Sequence, residues 1–172
     1  DVLFLLGADE YDTAAMGNAF VVYIGSHGDA GAHRADVILP AATYTEKSGT
    51  YVNTEGRVQV TTRAVFPPGE AKEDWAIIRA LSGVVGKPLP FNSLTQLRAA
   101  LYGEFPHLAR VDQIAAGSAK DIAKLAKSSV KTTSARFGSA VADFYLTNPI
   151  ARASAVMGEC AALAAGLRQA AE

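Results

Sequence analysis

Three short apolar runs, Val2–Leu6, Phe20–Ile24 and Asp36–Leu39, open the chain, separated by polar and glycine-containing intervals. Each run is too short for a helix and is rich in aliphatic and β-branched residues. Such runs suit strands covered on both faces, and they predict a parallel sheet in an α/β layer architecture. The intervals of about 13 and 11 residues leave room for one short crossover helix each, over Thr13–Ala19 and Gly31–Ala35. Pro40 is read as the end of the third strand, because it withdraws a backbone donor. Two β-prone runs then follow, Thr50–Asn53 and Arg57–Thr61, around Thr54-Glu55-Gly56. A three-residue loop with glycine at its left-handed position predicts a hairpin.

After the rigid turn Pro67-Pro68-Gly69 the periodicity becomes helical. Glu73 and Asp74 are expected in a first turn, where acids suit the positive helix end, and Trp75, Ile78, Leu81 and Val85 form one face. Gly86 and Pro88 end that helix. Ser93 with Gln96 reads as a capping box ahead of Leu94, Leu97 and Leu101. A third helix is predicted over Ser118–Val130, with Ile122 and Leu125 on its apolar side and Lys120, Lys124 and Lys127 outward. Lys131–Ala140, rich in Thr, Ser and Gly, reads as a linker. In the last helix Asn148 caps, Pro149 takes the first position, and Ile150, Ala153, Met157, Ala161, Ala164 and Leu167 make one narrow stripe. So many alanines in the stripe predict close approach to a flat partner surface.

Composition narrows the function. A net charge of −1 gives no argument for nucleic acid or an anionic membrane as partner. No apolar run reaches the roughly 20 residues that span a bilayer. Cys160 is the only cysteine, so the segment has no internal disulfide and no set of thiolates for a cluster. The chain opens at Asp1, directly before a core-type strand, which reads as the tail of a longer polypeptide.

The most specific stretch is Ala35-Asp36-Val37-Ile38-Leu39-Pro40-Ala41, followed by Glu46-Lys47-Ser48-Gly49-Thr50-Tyr51-Val52-Asn53-Thr54-Glu55-Gly56-Arg57-Val58-Gln59. It resembles the molybdopterin oxidoreductase superfamily, and within it the large iron–sulfur subunits of NADH:quinone oxidoreductases, respiratory complex I. Val22–Asp29, Glu73–Leu81, Asp143–Thr147 and Ile150–Ser154 carry the same resemblance in the same order. It implies an α/β fold: a partial parallel, Rossmann-like sheet layer of a molybdopterin-oxidoreductase-like domain, with a β-hairpin and a helical C-terminal tail. The expected division is 1–70 for the α/β part with hairpin, 71–130 for a helical section, 131–142 for a linker and 143–172 for a docking helix.

By the same resemblance, the segment is a scaffold with no catalytic, cofactor-binding or metal-binding residue of its own. Iron–sulfur clusters (2Fe-2S and 4Fe-4S) are expected in an N-terminal part of the parent chain. The expected partners are that part and other subunits of the complex I peripheral arm, without nucleic acid or direct membrane insertion. The expected location is the cytoplasmic face of a bacterial inner membrane or the matrix face of the mitochondrial one. The alternative is an active molybdenum-pterin enzyme of the formate dehydrogenase or nitrate reductase type. A free-standing nucleotide-binding protein is a third reading.

The candidate site residues are Asp36, Pro40, Glu46, Gly49, Thr50, Asn53, Glu55, Gly56 and Arg57, expected to act in loop architecture. Glu46 and Glu55 have the form of an acid/base pair, but Lys47 and Arg57 beside them favour local ion pairing and turn stabilisation. Gly25-Ser26-His27-Gly28-Asp29-Ala30-Gly31 follows a strand with spacing G-x-x-G-x-x-G, neither a dinucleotide fingerprint nor a P-loop. In pterin-carrying relatives the equivalent loop lies near the cofactor. Here Asp29-Ala30-Gly31-Ala32-His33 departs from their pattern, so the loop is read as a structural turn. His27 and His33 are read as hydrogen-bonding residues rather than a metal pair, and His107 attracts no function. Tyr11 and Asp12 resemble a ligand-contacting strand end, while Asp9 and Glu10 are expected to cap the following helix.

Overall fold

The computed structural model describes residues 1–10, 12–126, 133–136, 141 and 143–169. Strands β1 (Val2–Leu6), β2 (Phe20–Gly25) and β3 (Val37–Pro40) form a parallel sheet in that order. Pro40 does not end β3 from outside but is its last residue, facing Gly25. A proline fits there because the next ladder bond comes from Ala41, whose N–H donates to the Gly25 carbonyl (3.0 Å), while the Pro40 carbonyl accepts from Lys72 N–H (3.2 Å). The first crossover is only a 3-10 turn, Thr13–Met16, and the second is α1 (Ala30–Arg34). Asp12 caps the turn by accepting from Ala14 N–H (2.9 Å), so Asp9 and Glu10 are not its caps. Tyr11 lies outside the described residues.

Alternation along each strand builds two unequal cores. On one face Leu5, Val21, Tyr23 and Ala32 are buried, with Leu3, Met16 and Ala35 packed against them, so both crossovers cover this side. On the other, Val22, Ile24 and Ala41 pack with Leu39, Ile77 and Ile78, the last two from α2 (Asp74–Val84). That second face is covered only in part: Val2, Phe4, Leu6 and Phe20 remain 45–61% exposed. Full cover on both faces is therefore not met within the described residues.

Strands β4 (Thr50–Val52) and β5 (Val58–Val60) pair antiparallel, and Gly56 has φ +81° as the hairpin reading requires. Val58, 2% exposed, also bridges in parallel to Val111, which ties the hairpin to the second half of the chain. In α2, Glu73 is the N-cap residue rather than part of the first turn, and its carboxylate accepts from Trp75 Nε1 (2.7 Å). Ile77 and Ile78 face the sheet while Val85 is exposed, so the inward face is rotated from the predicted stripe. Helix α3 (Leu94–Glu104) begins as expected, with Ser93 Oγ accepting from Gln96 N–H (3.2 Å). The Gln96 side chain accepts from Asn92 N–H (2.7 Å), one residue before the reciprocal position of a capping box.

Helix α4 spans Ala119–Leu125, with Ile122 and Leu125 exposed where an apolar side was expected. The end of the predicted third helix and part of the linker fall outside the described residues. The tail is two helices, α5 (Pro149–Arg152) and α6 (Ala155–Gln169), where one was predicted. Asn148 caps the first by accepting from Ala151 N–H (2.9 Å). Ser154 starts the second, its Oγ accepting from Met157 N–H (3.4 Å), which explains the break. Met157, Ala161 and Ala164 are half-buried and Leu167 is exposed, so the stripe holds only along the middle of α6. Among the described residues no helix is long and apolar enough to cross a membrane.

Candidate functional site

Doubly wound sheets bind ligands at the carboxyl ends of their strands, so Gly7, Gly25 and Ala41 mark the place to look. A cavity of about 530 Å³ opens there, between the strand ends, Tyr51 of β4 and the tail residues Pro149–Ala151. Beside it stands an ionic cluster that sequence reasoning missed. Asp9, whose side chain is fully buried, accepts from Gly31 N–H (2.7 Å) and from Arg152 Nη2. Arg152 Nε donates to Asp29, and Arg152 Nη1 lies 3.7 Å from Glu10. The guanidinium thus joins the end of β1, the start of α1 and the tail, across 143 residues of sequence. Hydrogen bonding to Arg152 holds the Asp29 carboxyl below the usual carboxylate range, and the same bond raises Arg152 above its ordinary value. Burial, with Asp9 next, raises the Tyr23 phenol.

Two glycines of the loop are closely packed. A Cβ on Gly25 would lie 2.4 Å from the Tyr23 ring, and one on Gly31 would lie 2.8 Å from Asp9 Cβ. The Tyr23 hydroxyl donates to the His27 carbonyl (2.9 Å), and Ser26 Oγ and His27 Nδ1 are hydrogen-bonded at 2.9 Å. His33 is exposed in the last turn of α1. His107 sits in a 3-10 turn, edge-on to Phe105.

The candidate residues fall in three local structures, the β2–β3 seam, the turn at Glu46 and the hairpin. Asp36 Oδ2 accepts from Val21 N–H (2.7 Å) and faces Arg34 at 3.6 Å, stapling β3 to β2. Glu46 closes a turn on Thr43 N–H (3.0 Å), and Lys47 pairs with Asp74 of α2 instead of Glu46. Gly49 donates to Thr61 Oγ1 (3.1 Å) and lies against the Tyr51 ring, and Thr50 faces Val60. Asn53 organises the hairpin loop: its Oδ1 accepts from Glu55 N–H (3.0 Å) and Arg57 N–H (2.9 Å). Glu55 and Arg57 are 3.7 Å apart, and Arg57 Nη1 donates to the Asp112 carbonyl (3.3 Å). The geometry brings Pro40 near the strand ends but leaves Glu46 and Glu55 in separate turns rather than as an acid/base pair.

The parallel layer and the hairpin lie in a stretch that a known family model matches. The family model for molybdopterin oxidoreductase matches residues 1–84. A second, for the C-terminal part of the G subunit of NADH-ubiquinone oxidoreductase, matches residues 111–160. The chain is 48% identical over 166 residues to the mitochondrial NADH-ubiquinone oxidoreductase 78 kDa subunit of Candida albicans, covering 92% of this chain and 23% of that protein. It is 42% identical over 165 residues to the protein of the same name in Neurospora crassa, covering 93% and 22%. It is 43% identical over 162 residues to the mitochondrial NADH dehydrogenase [ubiquinone] iron-sulfur protein 1 of Solanum tuberosum, covering 94% and 22%. Over nearly all of its length the chain is similar to these large subunits of NADH-ubiquinone oxidoreductase, and it spans less than a quarter of the length of these curated relatives.

The superfamily name implies a pterin cofactor, whose phosphate makes it anionic. The residues at the loop do not fit such a group. The first amides of α1 are already taken: Ala30 N–H by Asp29 and Gly31 N–H by Asp9. Three carboxylates would face the anion, and the cation among them, Arg152, is already bonded to Asp9 and Asp29.

Proposed function

We propose that this chain is the scaffold and docking segment of the large iron–sulfur subunit of an NADH:quinone oxidoreductase, whose assembly carries electrons from NADH through flavin and iron–sulfur clusters to quinone. The segment contributes no catalytic residue. The 2Fe-2S and 4Fe-4S clusters belong to a preceding part of the longer polypeptide. One observation carries the scaffold reading: the Asp9 and Asp29 carboxylates, themselves paired with Arg152 of the tail, take the amides that a ligand's phosphate would need at the strand ends.

Asp36, Pro40, Glu46, Gly49, Thr50, Asn53, Glu55, Gly56 and Arg57 act in loop architecture, which their local hydrogen bonds support. The organisation is an α/β unit over 1–70, a helical section over 71–130, a linker over 131–142 and a docking tail over 143–172. Its partners are the preceding polypeptide and other subunits of the peripheral arm. It works as a peripheral protein at the matrix face of the mitochondrial inner membrane, or at the cytoplasmic face in a bacterium; the mitochondrial relatives favour the former setting. Affinity purification of the full-length parent from its native membranes tests this. NADH-dependent quinone reduction in the purified assembly is expected, whereas a solitary formate- or nitrate-converting protein would overturn the reading.

A further inference from the structure

Among the described residues, no element packs on the second face of the sheet over β1. Leu5 and Val21 point into the core beneath the crossovers, so Val2, Phe4, Leu6 and Phe20 point to the opposite side by strand alternation. Val2 is 61%, Phe4 45%, Leu6 57% and Phe20 49% exposed, a contiguous apolar surface. The outer edge of β1 is open as well. Gly7 donates to the Ile24 carbonyl (2.7 Å) and the Asp1 carbonyl accepts from Phe20 (3.0 Å), so the backbone groups of Asp1, Leu3, Leu5 and Gly7 point at β2. The groups of Val2, Phe4 and Leu6 therefore point outward, where no described strand pairs with them. Native sheets blunt, pair or cover their edges, and β1 carries no charge, proline or bulge to blunt this one.

We infer that β1 is an internal strand of a longer doubly wound sheet, and that the polypeptide preceding Asp1 supplies both missing covers. This rests on the reading that the chain is a segment of the longer subunit. The direction of the sheet selects the occupant. The strands run β1, β2, β3 away from the open edge, and both crossovers lie on one face. Because βαβ connections share one hand, a half-sheet built outward from the other side of β1 puts its crossover helices on the opposite face. That face is the bare one. A preceding α/β half would thus lay a parallel strand against Val2, Phe4 and Leu6 and a helix over their side chains. The relatives leave ample chain for it, since the matched region is 22–23% of each. This arrangement also makes the end of β1, with Asp9 and Glu10, the point where strand order reverses.

Hydrogen exchange on the full-length parent, resolved to single amides, tests the inference. The amides of Val2, Phe4 and Leu6 are expected to exchange as slowly as those of Leu3 and Leu5. Rapid exchange at the three outward amides, beside slow exchange at Leu3 and Leu5, would overturn it. Leu6→Cys gives a second reading, by mass spectrometry of the residue 6 peptide. The thiol should resist alkylation in the native parent and lose that resistance in denaturant, and fast native alkylation would contradict a covering helix. Quinone reduction and iron content in the same preparation report on the proposed function separately, so loss of either with slow outward amides would sink that reading and leave this one standing.

Discussion

Replacing Arg152 by methionine keeps the apolar stem of the side chain and removes its charge and fork. Asp9 would keep the Gly31 amide but lose the cation that pairs with it, in a site where its side chain is fully buried; the Arg152 side chain itself is 23% exposed. Breaking a buried pair from one side costs about 3–5 kcal/mol, and the remaining hydrogen bond and partial exposure point to the lower end, about 3 kcal/mol. The contacts to Asp29 and Glu10 are more open and add little beyond this. Since the guanidinium joins the tail to the sheet, the loss falls on docking of α5 and α6, and roughly a 100-fold rise in the undocked population follows. Hydrogen exchange of the amides between Ala151 and Ala164 in the full-length parent reads this directly. Adding Asp9→Asn to Arg152→Met should restore part of the protection, because it removes the uncompensated charge. Unchanged protection in Arg152→Met would refute the clamp.

Three further outcomes follow from the same contacts. Gly56→Val should lower stability by about 1–2 kcal/mol, since φ +81° is closed to a β-branched residue, and an unchanged denaturation midpoint would refute the left-handed assignment. Asn53→Ala should cost about 1–2 kcal/mol by releasing the Glu55 and Arg57 amides, visible as faster exchange confined to the hairpin. The Asp29 carboxyl is held low by Arg152, so its contribution is complete above the unfolded value of about 3.9 and fades as the pH falls through the lower folded value. Tail protection should therefore decline below about pH 4, and Asp29→Asn should remove that step while leaving any other acid transition.

The local elements were legible because each rests on a local rule. Short aliphatic runs marked the three strands, Gly56 the hairpin, and Ser93 and Asn148 two helix starts. What escaped was set by partners distant in sequence. Pro40 could join β3 because the acceptors and donors around it come from Gly25, Ala41 and Lys72. Lys47 chose Asp74 over its neighbour Glu46. The tail broke at Ala153 because Ser154 could restart it and Arg152 is held by Asp9 and Asp29. That cluster is the heart of the site, and no spacing rule joins residues 9, 29 and 152. An Asp in a Gly7-Ala8-Asp9 turn and an Asp at the start of a short helix were visible, but their common cation was not. The bare second face was concealed for a related reason, since an apolar strand reads as buried whether its cover lies within the segment or elsewhere in a longer chain.

The metal content of the native full-length parent tests the central claim most directly. Elemental analysis should find abundant iron and no molybdenum, as a cluster-bearing subunit whose strand-end loop is satisfied by its own Asp9, Asp29 and Arg152 requires. Molybdenum near one atom per chain would contradict the account and return Gly25–His33 to consideration as a pterin contact.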